Sequence, residues 1–372
     1  MNDTIRVLIV DESPICRDTV SSSLSEADDI TLLGAVPTGA TGLARAIQQL
    51  PDVIIVSATL PDIDGAEFAR SAIQNQAEVG VLLAVEAKAN PETVDRVIRT
   101  LEAGAFDFFS KPPEGEPTRR DTLARRLLSK IRAFSAARYS KRARALAGHI
   151  TSALDESTQR QRANALLRRQ GPAGVPEVVL LAISTGGPEA LKKLMPSLPA
   201  SFPVPIVVAI HLPNGFTASL ARSLNKSAPL EVVEAIAGAL LEPGSVYLGG
   251  GSEHFLIARD LGGHLVLETN QDPPLNGCRP SADYLFRSAV KAQVSGVIGL
   301  VMTGMGTDGL AGLKELRDHG KCYVIAQDEQ TSVVWGMPGS VVRSALQDEV
   351  LPLEEIGPRL VALANTPLGD GG

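Results

Sequence analysis

The first third of the chain alternates short apolar runs with longer amphipathic stretches. The apolar runs are rich in Val, Ile, Leu and Phe and occupy residues 5–10, 53–56, 81–85 and 106–109. Runs of this length and composition predict buried strands, and the stretches between them are long enough for helices. The pattern therefore predicts βα units on a parallel sheet. Side chains that follow the strands are expected at the carboxyl edge of that sheet.

The second half of the chain repeats this pattern, with apolar runs at residues 178–183, 205–210 and 296–303. The first run ends at Ser184, the second ends at His211, and the third leads into a glycine-rich segment that contains Asp308. The pattern predicts a second α/β unit built on a doubly wound, mainly parallel sheet.

A basic segment separates the two halves. Between residues 117 and 171 lie fourteen basic and three acidic residues, although the whole chain carries a net charge of −7. A glycine and proline cluster at residues 171–176 then breaks the chain. We expect a regulatory unit at 1–130, a basic helical linker at 131–175 and a catalytic unit at 176–372.

The linker region begins with a helical pattern. Apolar residues spaced by three or four positions predict a helix face packed on the first sheet: Leu123, Leu127, Ile131 and Phe134. Beyond residue 136 the positive charge is explained most simply by a solvated helix or a loose linker. The alternative is a basic surface that steers an acidic protein partner towards the adjacent site. Nucleic acid is disfavoured because almost no aromatic residues interleave with the arginines.

The overall composition is that of an ordinary globular protein, with 44% hydrophobic and 21% charged residues. The first apolar run is too short for a signal peptide or a membrane span, so we expect a cytoplasmic protein without membrane insertion. Its three cysteines, Cys16, Cys278 and Cys322, are far apart in sequence and odd in number. This spacing favours reduced, structural thiols over a disulfide framework or a metal cluster.

The first unit resembles the receiver domains of response regulators, which are flavodoxin-like. The resemblance lies in the acidic pair Asp11 and Glu12, the turn at Pro61–Gly65, the stretch Ala103–Ala105 and Lys111 before proline. It implies that the acidic pair holds magnesium, that an aspartate before the turn accepts a phosphoryl group, and that the lysine pairs with that group.

The chain departs from receivers at the phosphoryl acceptor. The acceptor position, four residues before Pro61, is Ser57, and the switch position falls on Ala84 or Val85, which have no hydroxyl. A serine cannot form the labile acyl phosphate that receivers use. We therefore expect a degenerate receiver that does not switch by aspartyl phosphorylation. Asp11 and Glu12 are then a solvated acidic rim or, alternatively, a metal site without a phosphoryl partner.

The strand ends of the second unit supply nucleophilic chemistry. Ser184, His211 and Asp308 each follow a predicted parallel strand, which provides a nucleophile, a base and an orienting carboxylate. The N–H groups of Thr185, Gly186 and Gly187 precede a helix expected from about Glu189, where they could hold an oxyanion or a phosphate.

Two other classes of protein, an α/β-hydrolase and a nucleotide-binding module, are alternatives for this unit. The order Ser, His, Asp and the residue Ala182 in place of a glycine disfavour an α/β-hydrolase. The segment Gly304–Gly309 fits a dinucleotide fingerprint, with Asp328 about 20 residues further on, although such fingerprints usually open their domain. A nucleotide- or phosphate-binding module therefore remains the alternative hypothesis.

The second unit also resembles the chemotaxis protein-glutamate methylesterases, the CheB family. Seven ordered motifs carry the resemblance: I-S-T-G-G-P, H-L-P, G-G-G-S-E-H, P-P-L-N-G-C-R-P-S-A-D, L-V-M-T-G-M-G-T-D-G, A-I-A-Q-D and V-V-W-G-M-P. With the receiver half, the resemblance covers nearly the whole chain in the family's domain order. Before the serine the family usually has a Gly-Ala pair, and this chain has Ala182-Ile183.

The resemblance implies an ester hydrolase. Ser184 is then the nucleophile, His211 the general base and Asp308 its orienting residue, with Thr185 and Met305 lining the site and the N–H of Met305 a further oxyanion donor. The implied substrates are glutamyl γ-methyl esters, and also glutamines, on the cytoplasmic domain of methyl-accepting chemoreceptors. No cofactor or metal is implied, and His254 and Arg279 are expected to be structural.

The resemblance further implies that a receiver controls the esterase when phosphorylated. With Ser57 as acceptor, the enzyme is either always active or responds to a protein partner, such as a chemotaxis histidine kinase or another chemosensory protein. We favour the second interpretation, because the buried runs of the first sheet are intact. A catalytically silent scaffold that only binds receptors is a third alternative for the whole chain.

Overall fold

The computed structural model describes residues 4–86, 89–111, 120–148, 175–319 and 322–365. The chain divides into two compact units, Met1–Arg142 and Ala143–Gly372. Each unit is a sheet flanked by helices, as the alternation of apolar runs predicts.

The first unit is a five-stranded parallel sheet. Its strands are β1 (Ile5–Val10), β2 (Ile30–Val36), β3 (Val53–Ser57), β4 (Gly80–Val85) and β5 (Asp107–Ser110). The order β2-β1-β3-β4-β5 is that of flavodoxin-like folds, which confirms the predicted fold class of this unit. The carboxyl ends of β1, β3 and β5 therefore lie on one edge of the sheet.

Five helices connect and cover these strands: α1 (Pro14–Leu24), α2 (Gly39–Gln49), α3 (Gly65–Asn75), α4 (Pro91–Glu102) and α5 (Arg120–Gly148). The first four begin at a polar residue whose side chain accepts a backbone N–H of the first turn: Ser13, Thr38, Asp64 and Asn90. Such caps stabilise a helix start by about 1 kcal/mol each.

Strand β2 was not among the strands predicted from the sequence. It lies at the edge of the sheet, and most of its side chains are only partly buried. Its register against β1 shifts next to Gly34, which has a φ of 132°. An edge strand with a glycine and an irregular pairing lacks the continuous apolar run of a central strand.

Helix α5 packs one face on the first sheet, as the spacing of its apolar residues predicts. Leu123, Leu127 and Ile131 are buried, and the ring of Phe134 stacks on Phe106 with centroids 4.4 Å apart. The helix continues beyond residue 130 as far as Gly148, so the start of the proposed linker is helical. Residues 149–174 of that linker lie outside the described residues.

The second unit is built on a seven-stranded parallel sheet and a separate antiparallel hairpin. The sheet has the order β14-β13-β12-β6-β7-β9-β8, with β6 (Val178–Ile183), β7 (Ile206–Ile210), β8 (Glu231–Glu234), β9 (Ser245–Gly249), β12 (Val297–Val301), β13 (Cys322–Gln327) and β14 (Glu349–Leu351). The hairpin consists of β10 (His254–Arg259) and β11 (Leu265–Asn270). Every residue of the central strands β6, β7 and β12 is buried.

The described residues of this unit include six helices: α6 (Gly187–Leu194), α7 (Phe216–Leu224), α8 (Ala282–Lys291), α9 (Leu310–Asp318), α10 (Gly336–Arg343) and α11 (Leu353–Asn365). Helix α6 begins two residues earlier than the sequence predicts. Together the two units confirm the α/β class with mainly parallel sheets. Among the described residues, no helix has both the length and the apolar character needed to cross a membrane.

The packing of α5 can be tested in the full chain. Leu127→Ala removes a fully buried side chain and is expected to lower the free energy of unfolding of the first unit by about 2–5 kcal/mol. Urea unfolding monitored by circular dichroism measures this loss of stability as a lower midpoint for the unfolding of the first unit. The control is the neighbouring, exposed Arg126→Ala, which should change stability by less than about 0.5 kcal/mol. Equal midpoints for the two variants would contradict this packing.

Candidate active site

Three strand ends meet at the centre of the second sheet. Strand β6 lies between β7 and β12, and it is followed directly by Ser184. The Ser184 N–H donates to the Thr303 carbonyl after β12 at 3.0 Å, and the His211 N–H donates to the Ile183 carbonyl at 3.3 Å. Ser184, His211 and Asp308 thus lie on the same edge of the sheet, as predicted.

The most direct contact at this edge joins His211 to Asp308. His211 Nε2 lies 2.8 Å from Asp308 Oδ2, and because an ionised carboxylate only accepts hydrogen bonds, Nε2 is the donor. Asp308 is 3% exposed and the His211 side chain is 16% exposed. The bond leaves Nδ1 as the nitrogen of His211 that can accept a proton.

The Asp308 carboxylate is held by the N-terminus of α8. Ser281 Oγ donates to Oδ1 at 2.5 Å, the Ala282 N–H donates to Oδ2 at 2.7 Å, and the Asp283 N–H lies 3.3 Å from Oδ1. Burial alone would raise the pKa of Asp308, but the hydrogen bonds from His211, Ser281 and Ala282 hold that pKa below its ordinary value. Asp308 is therefore an ionised, fixed acceptor.

Ser281 is a site residue that the sequence analysis missed. It lies in the motif C-R-P-S-A-D, and its side chain caps α8 by accepting the N–H of Asp283. A serine two residues before an acidic residue at a helix start indicates such a cap. The cap signal could have been recognised, but not the carboxylate beside it.

The partners of His211 set its protonation. Burial opposes the charged imidazolium, but the hydrogen bond to Asp308 and the nearby Cys278 sulfur favour it, and together they raise the pKa of His211 to about 9. The imidazolium is therefore the main form at neutral pH, and the free base becomes the main form above about pH 9.

The turn after Ser184 is tightly packed. Gly186 adopts a φ of 79°, and a Cβ at this position would lie 2.6 Å from the Val333 side chain, so only glycine fits. The Gly187 N–H donates to the Ser184 carbonyl at 2.7 Å and is not available to a ligand, which corrects its predicted role as an oxyanion donor. Among the described residues, the Gly186 N–H has no acceptor.

Thr185 and Met305 belong to two segments that meet at Ser184. Thr185 is buried, and its carbonyl accepts a hydrogen bond from Thr303 Oγ1 at 2.9 Å. Met305 is partly buried and follows Gly304, where a Cβ would lie 3.0 Å from Ser184 Cβ. Both predicted lining residues therefore belong to segments that contact the serine.

The Ser184 hydroxyl is not hydrogen-bonded to the His211 ring in this structure. Catalytic hydrogen bonds are often absent or long without substrate and form when it binds. The free ring nitrogen instead faces Cys278 Sγ, which lies 4.0 Å from Nδ1. Cys278 was predicted to be a structural thiol, because the three cysteines are far apart in sequence and odd in number.

His211, Cys278 and Asp308 also form the one His, Cys and acidic cluster of metal-site size among the described residues, with ligand atoms within 4.8 Å of one another. Both Asp308 oxygens already accept hydrogen bonds from Ser281, Ala282 and His211. The carboxylate thus has little capacity left for a cation, and the cluster does not fit a metal site.

His254 and Arg279 have structural contacts, as expected. His254 is fully buried, accepts the Ser281 N–H at 3.1 Å and stacks on Tyr284 with centroids 4.0 Å apart. Arg279 donates to the Gln271 and Asp272 carbonyls at 3.5 and 3.3 Å. His254 thereby fixes the residue that holds Asp308.

The glycine segment at residues 304–309 lacks the features of a dinucleotide site. The Gly304 N–H donates to the Val334 carbonyl, and its own carbonyl accepts the Met337 N–H. Asp328, the expected ribose ligand, accepts hydrogen bonds from the Thr331 N–H and hydroxyl. The segment packs against α10, which disfavours the nucleotide-binding alternative.

The receiver pocket of the first unit has a buried lysine at its centre. Lys111 Nζ lies 3.0 Å from Ser57 Oγ and from Asp11 Oδ2, and 3.2 Å from Glu12 Oε1 and from Glu86 Oε1. Burial opposes the ammonium, but the Asp11 and Glu12 carboxylates raise the pKa of Lys111 well above its ordinary value. The pKa of Glu12 is correspondingly lowered against its burial, by hydrogen bonds that include Ser57 and by Lys111.

The pocket residues do not fit magnesium-dependent phosphoryl transfer. Lys111 supplies one positive charge against the two negative charges of Asp11 and Glu12, and Ser57 has no carboxylate to accept a phosphoryl group. Asp11 is buried and Glu12 only partly exposed, so the expectation of a solvated acidic rim is corrected to a buried ion-pair cluster.

The chain contains two α/β units. One is receiver-like, and the other has a serine, a histidine and a buried aspartate at its central strand ends. Together they define a receiver-linked hydrolase. Family models for the response regulator receiver domain and for the CheB methylesterase match residues 7–119 and 179–360. The chain belongs to the protein-glutamate methylesterase/protein-glutamine glutaminase family.

The similarity to this family extends over almost the whole chain. The protein-glutamate methylesterase/protein-glutamine glutaminase of Trichodesmium erythraeum is 36% identical over 96% of this chain and 98% of its own length. Its counterpart in Maricaulis maris is 34% identical over 96% and 95%. The crystal structure of the Thermotoga maritima CheB methylesterase catalytic domain is 37% identical, with a TM-score of 0.48, over 50% of this chain and 98% of that one.

The protonation of His211 can be measured by NMR titration of its ring protons, assigned with His211→Gln. We expect a pKa of about 9, and a value at least one unit lower in Asp308→Asn, because the stabilising carboxylate charge is lost. The control is Asp260→Asn, which removes the acidic partner of the exposed His264 and should leave His211 unchanged. A His211 pKa that does not depend on Asp308 would contradict the described geometry.

Proposed function

We propose that this chain is a protein-glutamate methylesterase that hydrolyses glutamyl γ-methyl esters, and also deamidates glutamines, on the cytoplasmic domain of methyl-accepting chemoreceptors. The observation that carries the proposal is the hydrogen bond between His211 and the buried Asp308 beside the strand end of Ser184. The similarity to methylesterases along nearly the full chain supports the substrate class.

In the proposed mechanism Ser184 Oγ attacks the ester carbonyl. His211 Nδ1 takes the hydroxyl proton, because Nε2 is already bound to Asp308. The ionised Asp308 stabilises the imidazolium that forms, and Ser281 and the N-terminus of α8 keep the carboxylate in place. His211 then protonates the leaving methanol, and water repeats the cycle on the acyl-enzyme. The same groups release ammonia from a glutamine.

The tetrahedral intermediate needs donors for its negative oxygen. The Gly186 N–H, which has no acceptor among the described residues, is the best supported donor, and it lies next to the start of α6 where the helix dipole favours an anion. Thr185 and Met305 line the same position. No cofactor takes part in this mechanism.

The partners follow from the substrate. The chain is expected to act in the cytoplasm on receptor helices, and a chemotaxis histidine kinase or another chemosensory protein is a further expected partner. We also propose that the first unit is a receiver that does not respond to aspartyl phosphorylation, and that such a partner regulates it instead. The support is the hydroxyl of Ser57 at the acceptor position and the pairing of Lys111 with the acidic residues.

The esterase is tested by methanol release from methylated chemoreceptor. Ser184→Ala is expected to lower the rate by at least about 10³-fold, because the nucleophile is lost. Release by the wild type should rise with pH towards about 9, as His211 loses its proton. The control is Ser201→Ala, an exposed serine of the same unit, which should keep the wild-type rate.

The same assay separates the alternatives. A silent scaffold would bind receptor equally well with and without Ser184→Ala and release no methanol. A nucleotide-binding module would bind a dinucleotide and show no dependence on His211. Absence of methanol release from the folded wild type would overturn the proposed function.

The state of the receiver is tested with acetyl phosphate and intact-mass measurement. The wild type is expected to form no hydroxylamine-labile phosphoryl adduct, since Ser57 cannot form an acyl phosphate. Ser57→Asp is the matched variant, because it places a carboxylate within reach of Lys111. A gain of a labile adduct in that variant is expected, whereas a labile adduct in the wild type would contradict the proposal.

A further inference from the structure

The thiol of Cys278 is aligned with the His211–Asp308 pair. Asp308 Oδ2 lies 2.8 Å from Nε2 on one side of the ring, and Cys278 Sγ lies 4.0 Å from Nδ1 on the other side. A thiol, an imidazole and a carboxylate in this order form the arrangement in which a histidine activates a cysteine. The proposed mechanism does not use this thiol.

A tight turn places Cys278 at this position. Leu275 and Cys278 exchange backbone hydrogen bonds of 3.1 and 2.9 Å across the two-residue turn Asn276-Gly277, whose φ angles of 52° and 80° are those of a type I′ turn. The turn residues are exposed and Cys278 is half-buried. A small reagent can therefore reach the sulfur from the solvent.

The His211 ring lies next to the sulfur of this thiol. A thiolate, and not a thiol, is the nucleophile in cysteine chemistry. Cys278 Sγ, 4.0 Å from Nδ1, is one of the causes that raise the pKa of His211. At neutral pH the imidazolium is thus present next to Sγ.

The other two cysteines provide internal comparisons. Cys16 is 6% exposed, and burial together with the Asp11 carboxylate raises the pKa of its thiol far above the ordinary value. Burial raises the pKa of Cys322 to about 12. Neither thiol is expected to react at neutral pH.

We propose that peroxides oxidise the thiol of Cys278, and that this oxidation inactivates the esterase. The thiolate sulfur attacks one peroxide oxygen, so that an S–O bond forms and the O–O bond breaks. The sulfur is oxidised by two electrons and the peroxide is reduced by the same two. The leaving hydroxide takes the Nδ1 proton of His211 and becomes water, and Cys278 becomes a sulfenic acid.

The oxidised side chain blocks the catalytic base. The sulfenic oxygen lies between Sγ and Nδ1, where it hydrogen-bonds to the nitrogen that must accept the Ser184 proton. This consequence rests on the proposed function, because it assumes that Nδ1 is the base. The reactivity of the thiol does not rest on it.

The test treats the full chain with hydrogen peroxide in the presence of a carbon nucleophile that traps sulfenic acids, and peptide mass spectrometry measures labelling at each cysteine. We expect Cys278 to be labelled at least about tenfold faster than Cys16 or Cys322, and at least about fivefold more slowly in His211→Gln. Circular dichroism checks that this variant is folded. Equal labelling of the three cysteines, or labelling that does not depend on His211, overturns the proposed site.

Methanol release after the same treatment, without the trapping reagent, tests the consequence for activity. The wild type should lose activity in step with Cys278 oxidation, whereas Cys278→Ser should keep its own untreated rate through the treatment. Equal losses in both would overturn the inhibitory role. If the untreated wild type releases no methanol, the proposed function fails, and the labelling experiment still decides whether Cys278 is the reactive thiol.

Discussion

The buried carboxylate of Asp308 organises the second unit around one acceptor. It follows the central strand β12, accepts hydrogen bonds from the start of α8, and binds the histidine that follows β7. A buried charge is tolerated only when it is paired and hydrogen-bonded, so these elements must keep their relative positions. The position of His211, and with it the nitrogen that can act as base, depends on this constraint.

The first unit also contains buried charges, but there the cation is internal. Lys111 lies among Asp11, Glu12 and Ser57, and its ammonium balances one of the two negative charges of the acidic pair. The family model of the receiver domain matches this unit, which shows that the fold is retained. Replacement of the acceptor by a hydroxyl changes the chemistry of the pocket without disturbing the sheet beneath it.

Most of the fold and part of the site could be predicted from the sequence. Central strands are continuous apolar runs, and the segment after each run must start at the sheet edge, which is why Ser184, His211 and Asp308 were found together. Edge strand β2, with Gly34, has no such run. Ser281 and Cys278 reach the site through loops that dock from far away in sequence, and no local pattern encodes that docking. The bond that occupies the Gly187 N–H likewise depends on the detailed turn geometry.

The hydrogen bonds around Asp308 also tie the site to the acid and alkaline stability of the unit. A carboxyl whose pKa is lowered on folding stabilises the fold above its unfolded pKa and loses that contribution as the pH falls through the folded pKa. A histidine whose pKa is raised to about 9 stabilises the fold below its unfolded pKa and loses that contribution as the pH rises through 9. Active-site residues often reduce the stability of a protein. At pH values between the folded pKa of Asp308 and that of His211, however, this Asp–His pair adds to the stability of the unit.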